Sequence, residues 1–465
     1  MPTYTWILLV TLSMACDNSS SSEKTQPPPR LNPPITTNDS FPIGKIIPAV
    51  ACQDDASFSY ALYIPQKKED PAPLIYFFDP HADGPLPLNK YRALADKYGF
   101  ILVGSNNSKN GNDYQKADLI WHHIFTDTKK RLPVDFQNLV VCGFSGGAKV
   151  AGFLALNHPE IKSVIANSAA MPENASTADF PFSFTGLAGE GDMNMTDVVT
   201  FCQLLDKTKT LHRMILFDGK HEWAPQSDMR IAFLSVLLDR VRQNNKPGLL
   251  ISEYISLSKK RLTEFLDSHQ WMQADNESIR SLQILKDIPS ADTAWFTQKH
   301  REISNSESFK KEEKSYLELF SQEQSFKSIY QQQFQKGDLQ YWQQTIGDLR
   351  EKSKSHSMEG AMYNRLLAFL SLAFYSISNQ LINSNQNPGA EYYSGLYKLA
   401  DPSNSEAWYF SAILNARNNN SDATESDLLK AVETGFRDSN RMMQQPEFLS
   451  LHIDFNKIEN RMHNP

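Results

Sequence analysis

The sequence predicts an α/β fold, a doubly wound and mainly parallel sheet, followed by an all-α, helical-repeat-like region. Three observations predict it. Between residues 46 and 244 short apolar strand patterns alternate with helix patterns, the order that builds a parallel sheet covered on both faces. One of those strand patterns, 139–142, runs directly into Gly143-Phe144-Ser145-Gly146-Gly147 and a helix pattern at 150–156. After Asn244-Asn245-Lys246-Pro247-Gly248 the strand signals stop, and the chain turns helical and rich in Gln, Ser, Asn and Lys.

The elements follow in order. Residues 1–16 stand apart from the fold: Trp6-Ile7-Leu8-Leu9-Val10 opens an apolar run that Leu12-Ser13-Met14-Ala15-Cys16 closes, too short to span a membrane. A small residue followed by cysteine after such a run resembles a bacterial lipoprotein signal. That resemblance implies cleavage before Cys16 and lipid attached to it. The run is preceded by no Lys or Arg, and Ser13 stands where an aliphatic residue is usual; the alternative is a plain secretory signal. Either way the chain is expected to be exported, and a lipid anchor would hold it to a membrane of the bacterial cell envelope. Residues 17–44, with Pro27-Pro28-Pro29 and Pro33-Pro34 among Ser, Asn and Thr, cannot bury a core and are expected to form a disordered tether.

Residues 45–244 form the expected sheet domain. Strands are predicted at 57–64, 74–78, 100–103, 139–142, 163–166, 182–187 and 214–217, and helices at 91–98, 117–130, 150–156, 196–205 and 229–241. The run Leu74-Ile75-Tyr76-Phe77-Phe78 is continuously apolar, as in a strand buried on both faces. Residues 245–465 are expected to be a separate helical domain. A net charge of −7 argues against nucleic acid as a partner. No zinc-type Cys/His spacing occurs, and neither a metal nor an organic cofactor is implied. Besides Cys16 there are Cys52, Cys142 and Cys202; a Cys52–Cys202 bridge stays open, and Cys142 reads as a buried thiol.

The chemistry-bearing residues lie where strands end. Gly143-Phe144-Ser145-Gly146-Gly147 fits G-x-S-x-G, a strained turn that lifts a serine Oγ above the sheet edge. Backbone N–H groups just past the serine, that of Gly146 first, point toward a reacting carbonyl. The strand at 182–187 is followed by Ala188-Gly189-Glu190-Gly191-Asp192-Met193-Asn194. The strand at 214–217 is followed by Asp218-Gly219-Lys220-His221-Glu222-Trp223-Ala224-Pro225. Serine needs a base to take its proton, and His221 is the side chain placed to do so. Asp192 would hold the imidazole in the working tautomer. Asp192 also reads as a helix N-cap, with Glu190 as the reserve acid, and His221 as an ordinary turn histidine. The other histidines, His122, His123 and His158, read as structural.

Together these motifs resemble the serine α/β-hydrolases, especially the secreted esterase branch related to polyhydroxyalkanoate depolymerases and feruloyl esterases. The carriers are Ser59-Tyr60-Ala61-Leu62-Tyr63-Ile64-Pro65, the 143–147 turn, the Asp192 loop and the 219–225 loop; they cover under half the chain. The resemblance implies a Ser145, Asp192, His221 triad that cleaves a small or polymeric carboxylic ester through an acyl-enzyme. It implies oxyanion donors at the backbone of Gly146 and of a loop after the 74–78 strand. There the family has His-Gly-x-Gly and this chain has Asp79-Pro80-His81-Ala82-Asp83-Gly84. Pro80 has no N–H, so the donor position falls on His81, through its backbone or alternatively its imidazole. A triad does not choose ester over amide, so a peptidase of the same fold is an alternative. So is a surface binding protein without turnover that acts through its helical region.

In the helical region Leu366, Phe369, Leu370, Ala373 and Phe374 form an i, i+3, i+4 stripe. Trp408, Ala412, Leu428 and Ala431 are spaced as in one tetratricopeptide repeat, with Thr424 where alanine is usual. A generic helical hairpin explains the same spacing. Paired helices of this kind offer a groove to a protein partner; the alternative is a packing extension that buries one flank of the sheet domain.

Overall fold

The computed structural model describes residues 41–465 apart from 69, 173, 174, 176–178, 245–248, 289–291, 452, 464 and 465. The expected signal segment with Cys16, and the tether up to residue 40, lie outside these residues. Two compact units divide between Ser315 and Tyr316, inside the helix Glu307–Gln333.

The first unit is built on an eight-stranded sheet in the order β1-β2-β4-β3-β5-β6-β7-β8. The strands are β1 (Ile46–Ala51), β2 (Ser59–Tyr63), β3 (Leu74–Phe78), β4 (Ile101–Ser105), β5 (Leu139–Phe144), β6 (Ile161–Asn167), β7 (Ser183–Gly189) and β8 (His212–Phe217). From β4 to β8 they run parallel, while β1 and β2 form an antiparallel edge. This is the doubly wound sheet of the α/β-hydrolase fold. β1 is the strand that the sequence analysis does not single out. Pro48 interrupts its pattern and its register shifts between Ile47 and Val50, both tolerable at a sheet edge.

Strand alternation sends neighbouring residues to opposite faces. Leu74, Tyr76 and Phe78 join a core with Trp121 and Ile124 of α2 (Tyr114–Arg131) and Ala151 and Leu154 of α3 (Gly146–Asn157). Ile75 and Phe77 join a second core with Tyr91 of α1 (Pro85–Tyr98) and Ile231 and Leu234 of α5 (Gln226–Asn244). The helix α4 (Met195–Leu205) covers β7 and β8. Cys52, Cys142 and Cys202 are all free and buried, so no Cys52–Cys202 bridge forms. Burial pushes the Cys52 and Cys202 thiols up to about 12 and that of Cys142 well above its usual range, which leaves them protonated and unreactive.

The structure corrects the expected boundary at 244/245. The next helices, α6 (Leu249–Asp267), α7 (Trp271–Leu285) and α8 (Ala294–Ser304), belong to the first unit. Ile251, Tyr254, Leu262, Ala274, Ile284, Leu285, Phe296 and Ile303 lie in the same buried cluster as Phe77 and Tyr91. The physical reason is area. The apolar stripes of α6, α7 and α8 share one buried cluster with the α1/α5 side of the sheet, and burying such surface is worth about 25 cal/mol per Å². Polar ties accompany the packing: Glu253 of α6 accepts from Tyr98 of α1 at 2.7 Å and from Arg230 of α5 at 2.6 Å.

The second unit is all helical. After the remainder of α9 (Glu307–Gln333) it comprises α10 (Leu339–Lys352), α11 (Met358–Asn383), α12 (Asn387–Ala400), α13 (Ser405–Arg417), α14 (Ser421–Glu433) and three shorter helices. Side chains of Asp338, Ser357, Asn404 and Asn420 cap four of them, satisfying N–H groups that a helix start leaves open. Its core is separate and centres on the predicted stripe of α11, with Leu366, Phe369, Leu370 and Phe374 all buried. Ala412, Leu428 and Ala431 are buried where α13 and α14 pair, and Thr424 is buried with its hydroxyl on the Asn420 carbonyl. Trp408 sits at the margin, donating to the Pro402 carbonyl at 2.8 Å.

Candidate active site

The turn after β5 explains its own glycines. Ser145 has φ 53° and ψ −120°, a sparsely populated conformation that costs about 1–3 kcal/mol and needs support from its surroundings. A Cβ on Gly143 would stand 2.0 Å from the Gly147 carbonyl oxygen, and one on Gly147 would stand 2.0 Å from that of Phe78. Only glycine lets strand, turn and helix approach so closely. The Ser145 N–H donates to the Asn167 carbonyl at 2.8 Å. Although Ser145 precedes α3, its side chain makes no cap hydrogen bond, which leaves Oγ for other work.

That work is with His221. Ser145 Oγ lies 3.0 Å from His221 Nε2, and His221 Nδ1 lies 3.0 Å from Asp192 Oδ1. Asp192 is fully buried, and its Oδ1 also accepts from the Asn194 N–H at 2.8 Å. With Nδ1–H donating to a carboxylate, Nε2 presents its lone pair to the serine hydroxyl. The structure thus joins Ser145, His221 and Asp192 in one hydrogen-bonded chain at the carboxyl ends of β5, β8 and β7. Glu190, the reserve acid, is turned elsewhere and accepts from Gln273 of α7 at 2.9 Å.

The histidine loop is fixed on every side. Asn167, at the end of β6, accepts from the Ala224 N–H at 2.7 Å and donates to the Glu222 carbonyl at 3.1 Å. Lys90 donates to the Trp223 carbonyl at 2.8 Å and Tyr91 to that of Ala224 at 2.7 Å. Trp223 Nε1 donates to Asp79 Oδ2 at 2.9 Å, and Phe144 lays its ring 4.8 Å from the imidazole. Asn194 ties the acid loop to β6 by donating to the Ser168 carbonyl at 2.8 Å. Neither Asn167 nor Asn194 is legible as a site residue in the sequence; an asparagine at a strand end carries no local signature of what it will hold.

The loop after β3 departs from expectation. The His81 N–H, expected to face a substrate, donates to Asp79 Oδ1 at 2.9 Å. The Ala82 N–H donates to the Asp79 carbonyl at 3.2 Å. The His81 side chain is 80% exposed and lies 3.4 Å from the same Asp79 oxygen. Burial alone would raise the Asp79 carboxyl, but hydrogen bonds from His81 and Trp223 hold it below its usual range. An ionised, buried carboxylate demands donors, and here it takes the amide that was expected to face an oxyanion. His81 is therefore corrected from oxyanion donor to Asp79 partner. Gly146, by contrast, is the first residue of α3, so its N–H has no acceptor within the helix. Among the described residues no group of His, Cys, Asp and Glu could hold a metal ion.

No family model matches the sequence, and no curated protein matches it. Solved structures do resemble it in fold. A hyperthermophilic esterase from the archaeon Pyrobaculum calidifontis is 13% identical with a TM-score of 0.31, over 39% of this chain and 78% of that one. Est1E from Butyrivibrio proteoclasticus is 14% identical with a TM-score of 0.33, over 43% of this chain and 100% of that one. The acylaminoacyl peptidase of Pyrococcus horikoshii is 12% identical with a TM-score of 0.30, over 40% and 39%.

Proposed function

We propose that the chain is an exported serine hydrolase that cleaves a carboxylic ester through an acyl-enzyme. The observation that carries this reading is the Ser145–His221–Asp192 chain, with both links at 3.0 Å and the serine on a strained turn. Ser145 Oγ attacks the ester carbonyl while His221 Nε2 takes its proton, and buried Asp192 stabilises the imidazolium. The oxyanion forms against the Gly146 N–H. Collapse expels the alcohol, which leaves with the proton from His221. Water then repeats the sequence on the acyl-enzyme and releases the acid.

The test is Ser145→Ala assayed on p-nitrophenyl butyrate. The variant should fold with an unchanged Tm and lose at least about a thousandfold in turnover. Turnover near that of the wild type would refute the assignment. Export and anchoring belong to the same proposal and rest on the apolar run that ends in Met14-Ala15-Cys16. Cys16→Ser should move the protein from the membrane fraction to the soluble one; an unchanged distribution removes the lipid anchor.

A further inference from the structure

At Pro80, His81 and Ala82 the β3 loop turns no amide toward the oxyanion. Pro80 has no N–H, and the amides of His81 and Ala82 both turn inward to Asp79. A tetrahedral intermediate facing the Gly146 N–H alone would be poorly stabilised, because an oxyanion is held by preorganised donors acting together. The polar group that the structure places against Gly146 comes from a different loop, the one after β4. A Cβ built on Gly146 would stand 2.0 Å from Asn110 Oδ1 and 3.1 Å from Asn110 Cγ. The Asn110 carboxamide therefore lies directly over the residue whose N–H opens the helix.

Its root is fixed. Lys109 and Asn112 close a tight turn around it, with the Lys109 N–H on Asn112 Oδ1 at 2.9 Å and the Asn112 N–H on the Lys109 carbonyl at 3.2 Å. The Asn110 N–H donates to the Pro80 carbonyl at 2.8 Å, and Lys109 bridges to His81. The loop that withdraws its own amides is thus the loop that holds Asn110 in place. The side chain is exposed, and a half-turn about its last torsion exchanges oxygen for the NH2 donor.

We propose that Asn110 is a further catalytic residue, its side-chain NH2 serving with the Gly146 N–H as the second donor to the oxyanion. This rests on the acyl-transfer reading above. It also gives position 146 a reason to be glycine that the strained turn does not: any side chain there would displace the carboxamide.

The test uses the full chain and p-nitrophenyl butyrate. Asn110→Ala, and the near-isosteric Asn110→Asp that lacks the donor, should each lower kcat about a hundredfold. KM and Tm should stay near their wild-type values, since the contact is made only in the transition state. Gly146→Ala keeps its N–H but displaces the carboxamide, so it should lower kcat to a similar extent and add little in an Asn110→Ala background. A loss below about fivefold in both Asn110 variants overturns the proposal, as does a double variant whose two losses multiply. Ser145→Ala in the same assay separates the failures. If it abolishes turnover while Asn110→Ala does not lower it, the hydrolase reading stands and this one falls. If Ser145→Ala retains turnover, both fall.

Discussion

Two helical stretches follow the sheet and read alike in the sequence, yet they have different allegiances. Residues 249–304 put Tyr254, Leu262 and Phe296 into the core that also contains Phe77 and Tyr91. Residues 339–433 put Trp342, Leu370 and Phe410 into a core of their own. Both carry apolar stripes at helical spacing and polar outer faces. The difference teaches that periodicity shows that a helix has a face to bury but not what the face will meet. The meeting is settled by which neighbouring surface still lacks cover.

The most severe way to break the comparison is truncation. A chain ending at Asn244 keeps Ser145, Asp192 and His221 but bares the surface that α6, α7 and α8 bury. It should aggregate or lose ester turnover. A chain ending at Ser315 retains those helices and should stay soluble and active. Soluble, active protein ending at Asn244 would restore the boundary that the sequence predicts.

A gentler test substitutes one buried leucine in each stretch. Leu262 and Leu370 are both fully buried, and Leu→Ala at such sites costs about 2–5 kcal/mol. Leu262→Ala should lower the temperature at which ester turnover is lost by several degrees. Leu370→Ala should destabilise the helical unit and leave the thermal loss of turnover unchanged. Equal effects of the two on turnover would erase the distinction.

The smallest expected effect concerns the polar tie of α6. Burial would raise the Glu253 carboxyl, but Lys97, Arg230 and Tyr98 outweigh it and hold it at about 2. A carboxylate lowered on folding contributes stability that is present above its unfolded value, near 4.5, and is lost as the pH falls through its folded value. Glu253→Gln should therefore cost about 1–2 kcal/mol at neutral pH, allowing for partial exposure. The gap in Tm between variant and wild type should close as the pH drops from about 4.5 toward 2. A gap that is constant across that range would mean that the ion pairs do not hold α6 to the sheet unit.

Much of the sheet, and of the edge that carries Ser145, Asp192 and His221, was legible in the sequence because the constraints there are local. A buried parallel strand needs an unbroken apolar run, as in Leu74 to Phe78. A turn at φ 53° between a strand and a helix needs glycines at fixed offsets from the serine. The loops holding Asp192 and His221 could be placed because each directly follows such a strand. Position along the chain then implies position at the sheet edge.

What the tertiary structure alone decided are the contacts between segments far apart in sequence. Asp79 takes the His81 amide because it is buried beside Trp223, 144 residues away; no local pattern announces that competition. Asn167 holds the histidine loop across 57 residues, and Asn110 lies over Gly146 because two loops are tied at Pro80. The helices from 249 to 304 side with the sheet because their apolar stripes and its α1/α5 side bury one another in a single cluster. A sequence states which groups must be buried or paired, and local spacing states on which face they lie. The choice of partner is made among all the surfaces that the folded chain brings together, and it is made by the one that leaves the least apolar area and the fewest buried charges unmatched.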